Sequence, residues 1–216
     1  GEVQTAVQEV LLAAVQNSAV AEYRQILDAV EMSSQPTEIE IFSTLRAVTP
    51  ADASTVAVID LGAKVTKLYI ARDQQLERIH RVSTGGFAVS NKLGELRELS
   101  FEDAENLKRS GGDEQTQYDI KQSMRATLEA PLQEFKRLLD QYELRIGGSI
   151  DALILAGGGA EQANLPAFAA DALGRPVTVA DPFSKVQYPA FMEDTLQHIG
   201  PTFTVSLGAA LRVFEN

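Results

Sequence analysis

Asp60 and Gly62 stand between two β-forming runs, Val56-Ala57-Val58-Ile59 before them and Val65-Thr66-Lys67-Leu68-Tyr69-Ile70 after them. The first run is continuously apolar, the pattern of a strand covered on both faces. An Asp-x-Gly turn at its end projects a carboxylate toward a metal-bound water, while Gly62 lets backbone N–H groups come close to a phosphate. The same residues also suit an ordinary hairpin, because a three-residue motif specifies little alone. A second glycine element, Gly157-Gly158-Gly159, follows another buried-strand run, Ala152-Leu153-Ile154-Leu155-Ala156. A loop stripped of side chains lets flat or charged ligand atoms lie against backbone. It is not a dinucleotide fingerprint: Gly157 and Gly159 fit that spacing, but Gln162 stands where the third glycine belongs. Between the two elements, Glu105 and Lys108 lie three apart on one helical face. They read either as a surface ion pair, contributing about 0.2–0.5 kcal/mol, or as a pair that hydrogen-bonds a ribose and flanks an adenine.

These residues need a scaffold, and the hydrophobic pattern supplies one. Ser100 and Asp103 form a capping box that starts a helix, and Gly111-Gly112 stops it. Three β-runs are expected at 55–60, 65–71 and 76–82, and Gly85-Gly86 ends this sheet edge. A helical region follows from Phe87 to about Tyr142. Its apolar stripe comprises Ile120, Met124, Leu128, Phe135, Leu138 and Tyr142, and Pro131 should kink or restart the helix near Ala130. The chain then returns to the sheet at 151–156, forms a helix at 166–173 and a short strand at 176–180, and closes with a helix from about Val205. Residues 1–50 read strand (7–15), helix with Val20, Tyr23, Leu27 and Val30 on one face, short strand, and helix. Hairpin strands followed by helical excursions indicate α/β layering.

Composition excludes several function classes. The 216 residues include 44% hydrophobic and 23% charged side chains, an ordinary globular balance that permits one or two domains. A net charge of −11 argues against non-specific nucleic-acid binding and against adsorption to anionic lipid. No apolar run approaches the roughly 20 residues of a spanning helix. With no cysteine there are no disulfides or thiolate metal sites, which suits a cytoplasmic protein. His80 and His198 are far apart and lack ligand-spaced partners, and His80 reads as structural. Neither a Gly-x-Ser-x-Gly elbow nor a His-Glu-x-x-His pair is present.

Six segments occur in an order that resembles the actin-like ATPase superfamily, with its ribonuclease-H-like fold, and within it the PilM family of type IV pilus assembly proteins. They are Asp60-Leu61-Gly62-Ala63-Lys64, Ser83-Thr84-Gly85-Gly86-Phe87, Ala104-Glu105-Asn106-Leu107-Lys108, the run 134–142, Ala156-Gly157-Gly158-Gly159-Ala160, and Ser206-Leu207-Gly208-Ala209-Ala210-Leu211-Arg212. The resemblance covers nearly the whole chain. It implies an ATP site with Mg near Asp60. Around it would stand Gly62, Lys64, Thr66, Gly85, Gly86, Glu105, Lys108, Gly157, Gly158 and Gly159. It also implies a connecting segment, 38–47, in which Glu40 orients the attacking water; a solvated charge at a helix N-terminus explains Glu40 equally well. Val65 departs from the family pattern, because it cannot donate to a phosphate where a small or hydroxyl residue is usual.

Such proteins use two phosphate hairpins, one per half, and only one is found here. The resemblance therefore implies either a C-terminal portion of a longer protein or a degenerate homologue without the first hairpin, carrying in both cases half of a phosphate clamp. Residues 1–50 would be the remnant of the first half and 51–216 the second. Within the second half, 51–90 and 150–216 would form a nucleotide-facing subdomain and 91–149 a helical one. The implied role is a cytoplasmic scaffold, peripheral to the inner membrane through protein partners. It would dock on the cytoplasmic peptide of a PilN-type protein and meet other platform proteins and assembly ATPases. ATP would serve as a conformational clamp, hydrolysed slowly at most. Two rival readings remain: a nucleotide-free interaction module of a related secretion system, and a small-molecule kinase of the same fold.

Overall fold

The computed structural model describes residues 14–32, 38–162 and 164–214. By contacts the chain forms two compact units, 1–38 and 39–216. In the first, α1 (Asn17–Ala29) is helical as its spacing predicts, with Tyr23 and Val30 exposed. The strand expected over 7–15 lies almost wholly outside the described residues. Residues 38 and 39 are not a strand; the backbone enters a helix at once, α2 (Glu40–Val48). Ile41, Leu45 and Val48 of this helix face the core.

The second unit is built on a mixed sheet of five strands: β1 (Thr55–Leu61), β2 (Thr66–Arg72), β3 (Gln75–Val82), β4 (Ala152–Ala156) and β5 (Thr178–Val179). Their order is β3-β2-β1-β4-β5. The β1–β2 and β2–β3 pairs are antiparallel, and β1–β4 and β4–β5 are parallel. β1 is thus the middle strand, and all of its residues except Asp60 are buried. The Asp151 carboxylate accepts the Ser54 and Thr55 N–H groups at 2.9 and 2.8 Å, fixing the start of β1 beside β4.

Strand alternation sends side chains to two separate cores. Ala57, Ile59 and Leu61 join Leu68 and Ile70 against a helical layer. That layer comprises α3 (Gly86–Arg97), α4 (Phe101–Ser110), α5 (Glu114–Ile146) and α6 (Leu165–Leu173). Val56, Val58, Tyr69 and Ala71 face the other way and pack on Ile41, Leu45 and Val48 of α2. Full burial of a side chain such as Leu93, Leu128 or Leu139 contributes about 1.5–3 kcal/mol.

Two prolines do not act as breakers. α5 runs without restart through Pro131, which is buried. Its missing N–H leaves one turn bond unmade, but the stripe on both sides, Leu128, Leu132 and Phe135, holds the helix against the sheet. The closing helix, α7 (Glu193–Leu211), begins twelve residues before the expected start and runs through Pro201. The Pro201 carbonyl accepts the Gly157 N–H at 3.1 Å, tying this turn to the end of β4.

α7 also packs against α2. A Cβ on Gly208 would overlap the Ser43 carbonyl oxygen, so only glycine allows this approach. Arg46 of α2 donates from Nη1 to the Gly208 carbonyl at 2.9 Å. Within the Ser206-Leu207-Gly208-Ala209-Ala210 segment, Gly208 serves helix packing.

Candidate functional site

The C-terminal end of β1 converges with three other elements. The turn from Gly62 to Val65 closes through the Gly62 N–H donating to the Val65 carbonyl at 3.1 Å. The start of α3 locks onto this turn: the Gly86 N–H reaches the Gly62 carbonyl at 3.0 Å and the Phe87 N–H the Ala63 carbonyl at 2.8 Å. Gly85 has no room for a side chain, since a Cβ would sit 2.8 Å from the Ala63 carbonyl carbon. Gly85 therefore permits close backbone contact, and the first donors of α3 are spent on the turn.

Gly157 adopts φ +83°, and a Cβ there would lie 2.7 Å from the Leu61 carbonyl and overlap the Asp60 carboxylate. The chain then makes one turn of 3-10 helix, Gly158–Glu161. A Cβ on Gly159 would lie 2.9 Å from the Leu61 carbonyl. Gly157 and Gly159 thus bring the β4 exit against the end of β1, while Gly158 faces Thr202 of α7.

α4 supplies the polar group. The Ser100 hydroxyl accepts the Asp103 N–H at 3.1 Å, as the capping box requires, and Gly111 closes the helix at φ +77°. On this helix Lys108 is not a surface cation. Its Nζ donates to Glu105 Oε2 at 2.7 Å, to the Ser90 hydroxyl at 2.8 Å and to the Gly86 carbonyl at 3.1 Å, and only 9% of its side chain is exposed. Burial alone would raise the Glu105 carboxyl. Hydrogen bonds from Lys108, Ser90 and Arg109 outweigh it and hold the group down at about 2.

Gly62, Gly86, Glu105, Lys108, Gly158 and Gly159 line one cleft of about 490 Å³. Segments far apart in sequence thus meet in one concavity, the size range of small-molecule sites. The cleft has residues that sequence reasoning missed. Phe87 and Arg109 come from α3 and α4, and His198, Ile199, Thr202 and Phe203 from α7. The α7 group was hidden because the closing helix was expected only from about Val205, whereas it starts at Glu193. Phe87 packs edge-on against Phe101 with ring centroids 5.1 Å apart. Aromatic rings, a carboxylate held ionised, a lysine and a glycine floor suit a nucleoside with a phosphate tail.

Other expected positions fall outside the cleft. Lys64 is exposed on the hairpin turn. Thr66 is buried, and its hydroxyl donates to the Thr84 carbonyl at 2.6 Å, so it is committed to structure rather than facing a ligand. Glu40 and Asp60 are on the α2 side of the sheet. Tyr69 donates its hydroxyl to Asp60 Oδ2 at 3.3 Å. Lys67, paired with Asp60 across the hairpin, lies 3.6 Å from Asp60 Oδ2 and forms a direct ion pair with Glu40 Oε1. Burial pushes the Asp60 carboxyl up, against the lowering effect of Lys67 and with a further push from Glu40.

Asp60 is the carboxylate that would hold a Mg²⁺ brought in with phosphate, since that cation takes one or two carboxylates and fills its other positions with phosphate and water oxygens. Mg²⁺ takes hard oxygen ligands. Among the described residues no three His, Cys, Asp or Glu side chains gather as a metal site. The two carboxylates at the strand end, Asp60 and Glu40, already face an ammonium. His80, outside the cleft, contacts Glu134 Oε1 through Nε2 at 2.6 Å and meets the Phe135 ring edge-on, in line with the structural reading. No helix of the described residues is long and apolar enough to cross a membrane.

Solved structures resemble the chain as a whole. A PilM-PilN type IV pilus biogenesis complex matches at TM-score 0.74 and 27% identity, over 90% of this chain and 57% of that chain. The ethanolamine utilization protein EutJ from Carboxydothermus hydrogenoformans matches at 0.69 and 20%, over 92% and 62%. MreB5 of Spiroplasma citri bound to ADP matches at 0.66 and 12%, over 92% and 66%. The latter two carry the fold alone, which is that of the actin-like ATPases. The chain spans less than two thirds of the length of the PilM and EutJ chains. The family described as type IV pilus assembly protein PilM matches residues 2–214, nearly the whole chain and both glycine elements, and the chain belongs to that family.

Proposed function

We propose that this chain is the nucleotide-facing half of an actin-fold scaffold that binds ATP as a conformational clamp. The single observation that carries the reading is the cleft where Glu105 and Lys108 of α4 meet Gly158 and Gly159. A ribose has hydroxyls to donate to Glu105 or its neighbours, and Phe87 and Phe203 offer apolar surface for a base. The phosphates would leave the cleft past Gly62 toward the end of β1. Ordering of both halves around one ligand would then couple nucleotide to scaffold shape, because a ligand shifts an equilibrium by its differential affinity for the two states.

The partner in this reading is a PilN-type inner-membrane protein, gripped through a short cytoplasmic peptide. Support comes from the likeness to a PilM chain solved with PilN. The scaffold would thereby sit on the cytoplasmic face of the inner membrane, beside other platform proteins and assembly ATPases. Hydrolysis is at most slow, since Glu40, the candidate water-orienting residue, is engaged by Lys67. The same engagement disfavours a kinase, which needs a free carboxylate base.

Calorimetry of the full-length protein with ATP tests the nucleotide reading, and co-purification with a PilN cytoplasmic peptide tests the partner. Micromolar ATP affinity that is lost in Lys108→Ala, with the fold intact, is the expected result. No binding by the wild type, together with retained peptide capture, would instead favour the nucleotide-free module.

A further inference from the structure

β3 is an edge strand. The order β3-β2-β1-β4-β5 leaves it paired on one side only, and among the described residues no other strand joins it. Alternate N–H and C=O groups of β3 therefore point away from the sheet, a row onto which a further strand can add. The side chains beside that row are cationic. Arg78 and Arg81 make no ion pair among the described residues, and Arg78 Nη1 donates to the Glu77 carbonyl at 2.8 Å. Glu77 is shared between Arg72 Nε at 3.1 Å and Arg145 Nη2 at 2.8 Å, and it also accepts the Tyr142 hydroxyl at 3.0 Å. The Arg145 guanidinium, 4.9 Å from the Tyr142 ring centre, is held in place by both contacts. The margin thus carries more guanidinium than carboxylate on a chain of net charge −11. Beside it, where β3 meets α5, opens a second cavity of about 210 Å³. Leu68, Ile70 and Leu138 give it apolar walls, Arg78 and Arg145 line it as well, and no carboxylate does. It shares no lining residue with the nucleotide cleft. The volume is below that of a whole-ligand site and suits one side chain of a longer partner.

We propose that the β3 edge takes an acidic extended segment of a partner protein as a sixth strand of the sheet, with an apolar side chain in the cavity and carboxylates against Arg78 and Arg145. Backbone hydrogen bonds supply affinity, and the alternate side chains that face α5 supply specificity. Register puts Arg78 and His80 on the α5 face of β3, opposite Ile70 and Leu68, and leaves Ile79 and Arg81 on the other. Ile79 is 55% exposed, so the other face of the added segment covers apolar surface too. Charge decides the occupant. A second copy of this chain, adding through its own β3, would set arginines against arginines, and like charges across a strand pair are destabilising. An acidic segment meets complementary charge instead, and guanidinium–carboxylate pairs fix its register.

The test is fluorescence anisotropy of the full-length protein with a labelled peptide of two Glu-Thr-Val-Thr repeats. That pattern, about a strand's length, sets glutamate and valine in turn on one face. Saturable binding is expected, weakened about tenfold or more by Arg78→Glu. The exposed Lys121→Glu, the same charge change elsewhere on α5, should stay within about threefold of wild type. Methylating every backbone nitrogen of the peptide keeps its charge but removes the strand donors, and should also cost about tenfold or more. Thermal denaturation of each variant confirms that the fold is kept. No saturable binding, or equal effects of Arg78→Glu and Lys121→Glu, overturns the proposal. Undiminished binding of the methylated peptide overturns it as well, reducing the edge to a charged surface. Dimerisation in solution that Ile79→Arg abolishes would assign the edge to a second copy and likewise overturn it.

Discussion

Gly208→Ala is the sharpest test of how Glu40 is positioned. The added Cβ would overlap the Ser43 carbonyl oxygen and lie 2.5 Å from the carbonyl carbon and 3.0 Å from the Cα. All three are backbone atoms of α2, so no rotamer change relieves them. Restoring ordinary contact asks α2 and α7 to part by about 1 Å, in an interior packed too densely to absorb it. Overpacking of this kind costs about 1–3 kcal/mol. The Arg46 bond to the Gly208 carbonyl stretches or breaks, costing about 1.5–3 kcal/mol for a charge-assisted bond. Alanine returns about 1 kcal/mol of helix propensity. The net loss is about 1.5–5 kcal/mol, and at about 2–4 °C per kcal/mol for this size the melting temperature falls by roughly 3–20 °C. The control is Gly200→Ala in the same helix, whose nearest contact is Pro182 Cδ at 3.2 Å. Denaturant and thermal unfolding of both variants, followed by circular dichroism, give the comparison. Equal stability of Gly208→Ala and wild type would refute the close-packing argument.

Other outcomes follow from the same geometry. Lys108→Ala removes a buried ammonium that joins Glu105, Ser90 and the Gly86 carbonyl, so it should weaken ATP binding about tenfold or more, while the exposed Lys121→Ala changes little; equal effects in titration would count against the cleft. Glu105 is held at about 2 against an ordinary 4.5, so its contribution is fully present above pH 4.5 and is lost as pH falls through about 2. Acid unfolding of Glu105→Gln should be correspondingly flatter than wild type between about pH 5 and 2; parallel curves would sink the assignment. Asp60 has the opposite sign, its folded carboxyl being raised by burial, so its stabilising protonated form is lost as pH rises above 3.8. Asp60→Asn should therefore melt higher than wild type at pH 7, and the difference should shrink toward pH 4; a lower melting temperature at pH 7 would show that the pairing with Lys67 outweighs the burial.

Short-range pattern in the sequence was enough to define most elements. The apolar run into Asp60, the second run after Gly62 and the capping box at Ser100 each produced the expected strand, strand and helix, because alternation and capping are local. The order of the glycine elements was enough to indicate the fold. Local signals failed at Pro131, where the proline cost was outweighed by apolar contacts from residues distant in the chain, and at the start of α7, which lies twelve residues before the expected one. Most consequential was the packing of α7 on α2 and beside the cleft. It placed His198, Thr202 and Phe203 at the candidate site and gave Gly208 a purpose that spacing alone did not reveal. Lys67 enters the sequence reading only as a member of the second β-run. Only the register of β1 with β2 and the approach of α2 set its ammonium between Asp60 and Glu40, since charges 27 positions apart interact by distance in space and not along the chain.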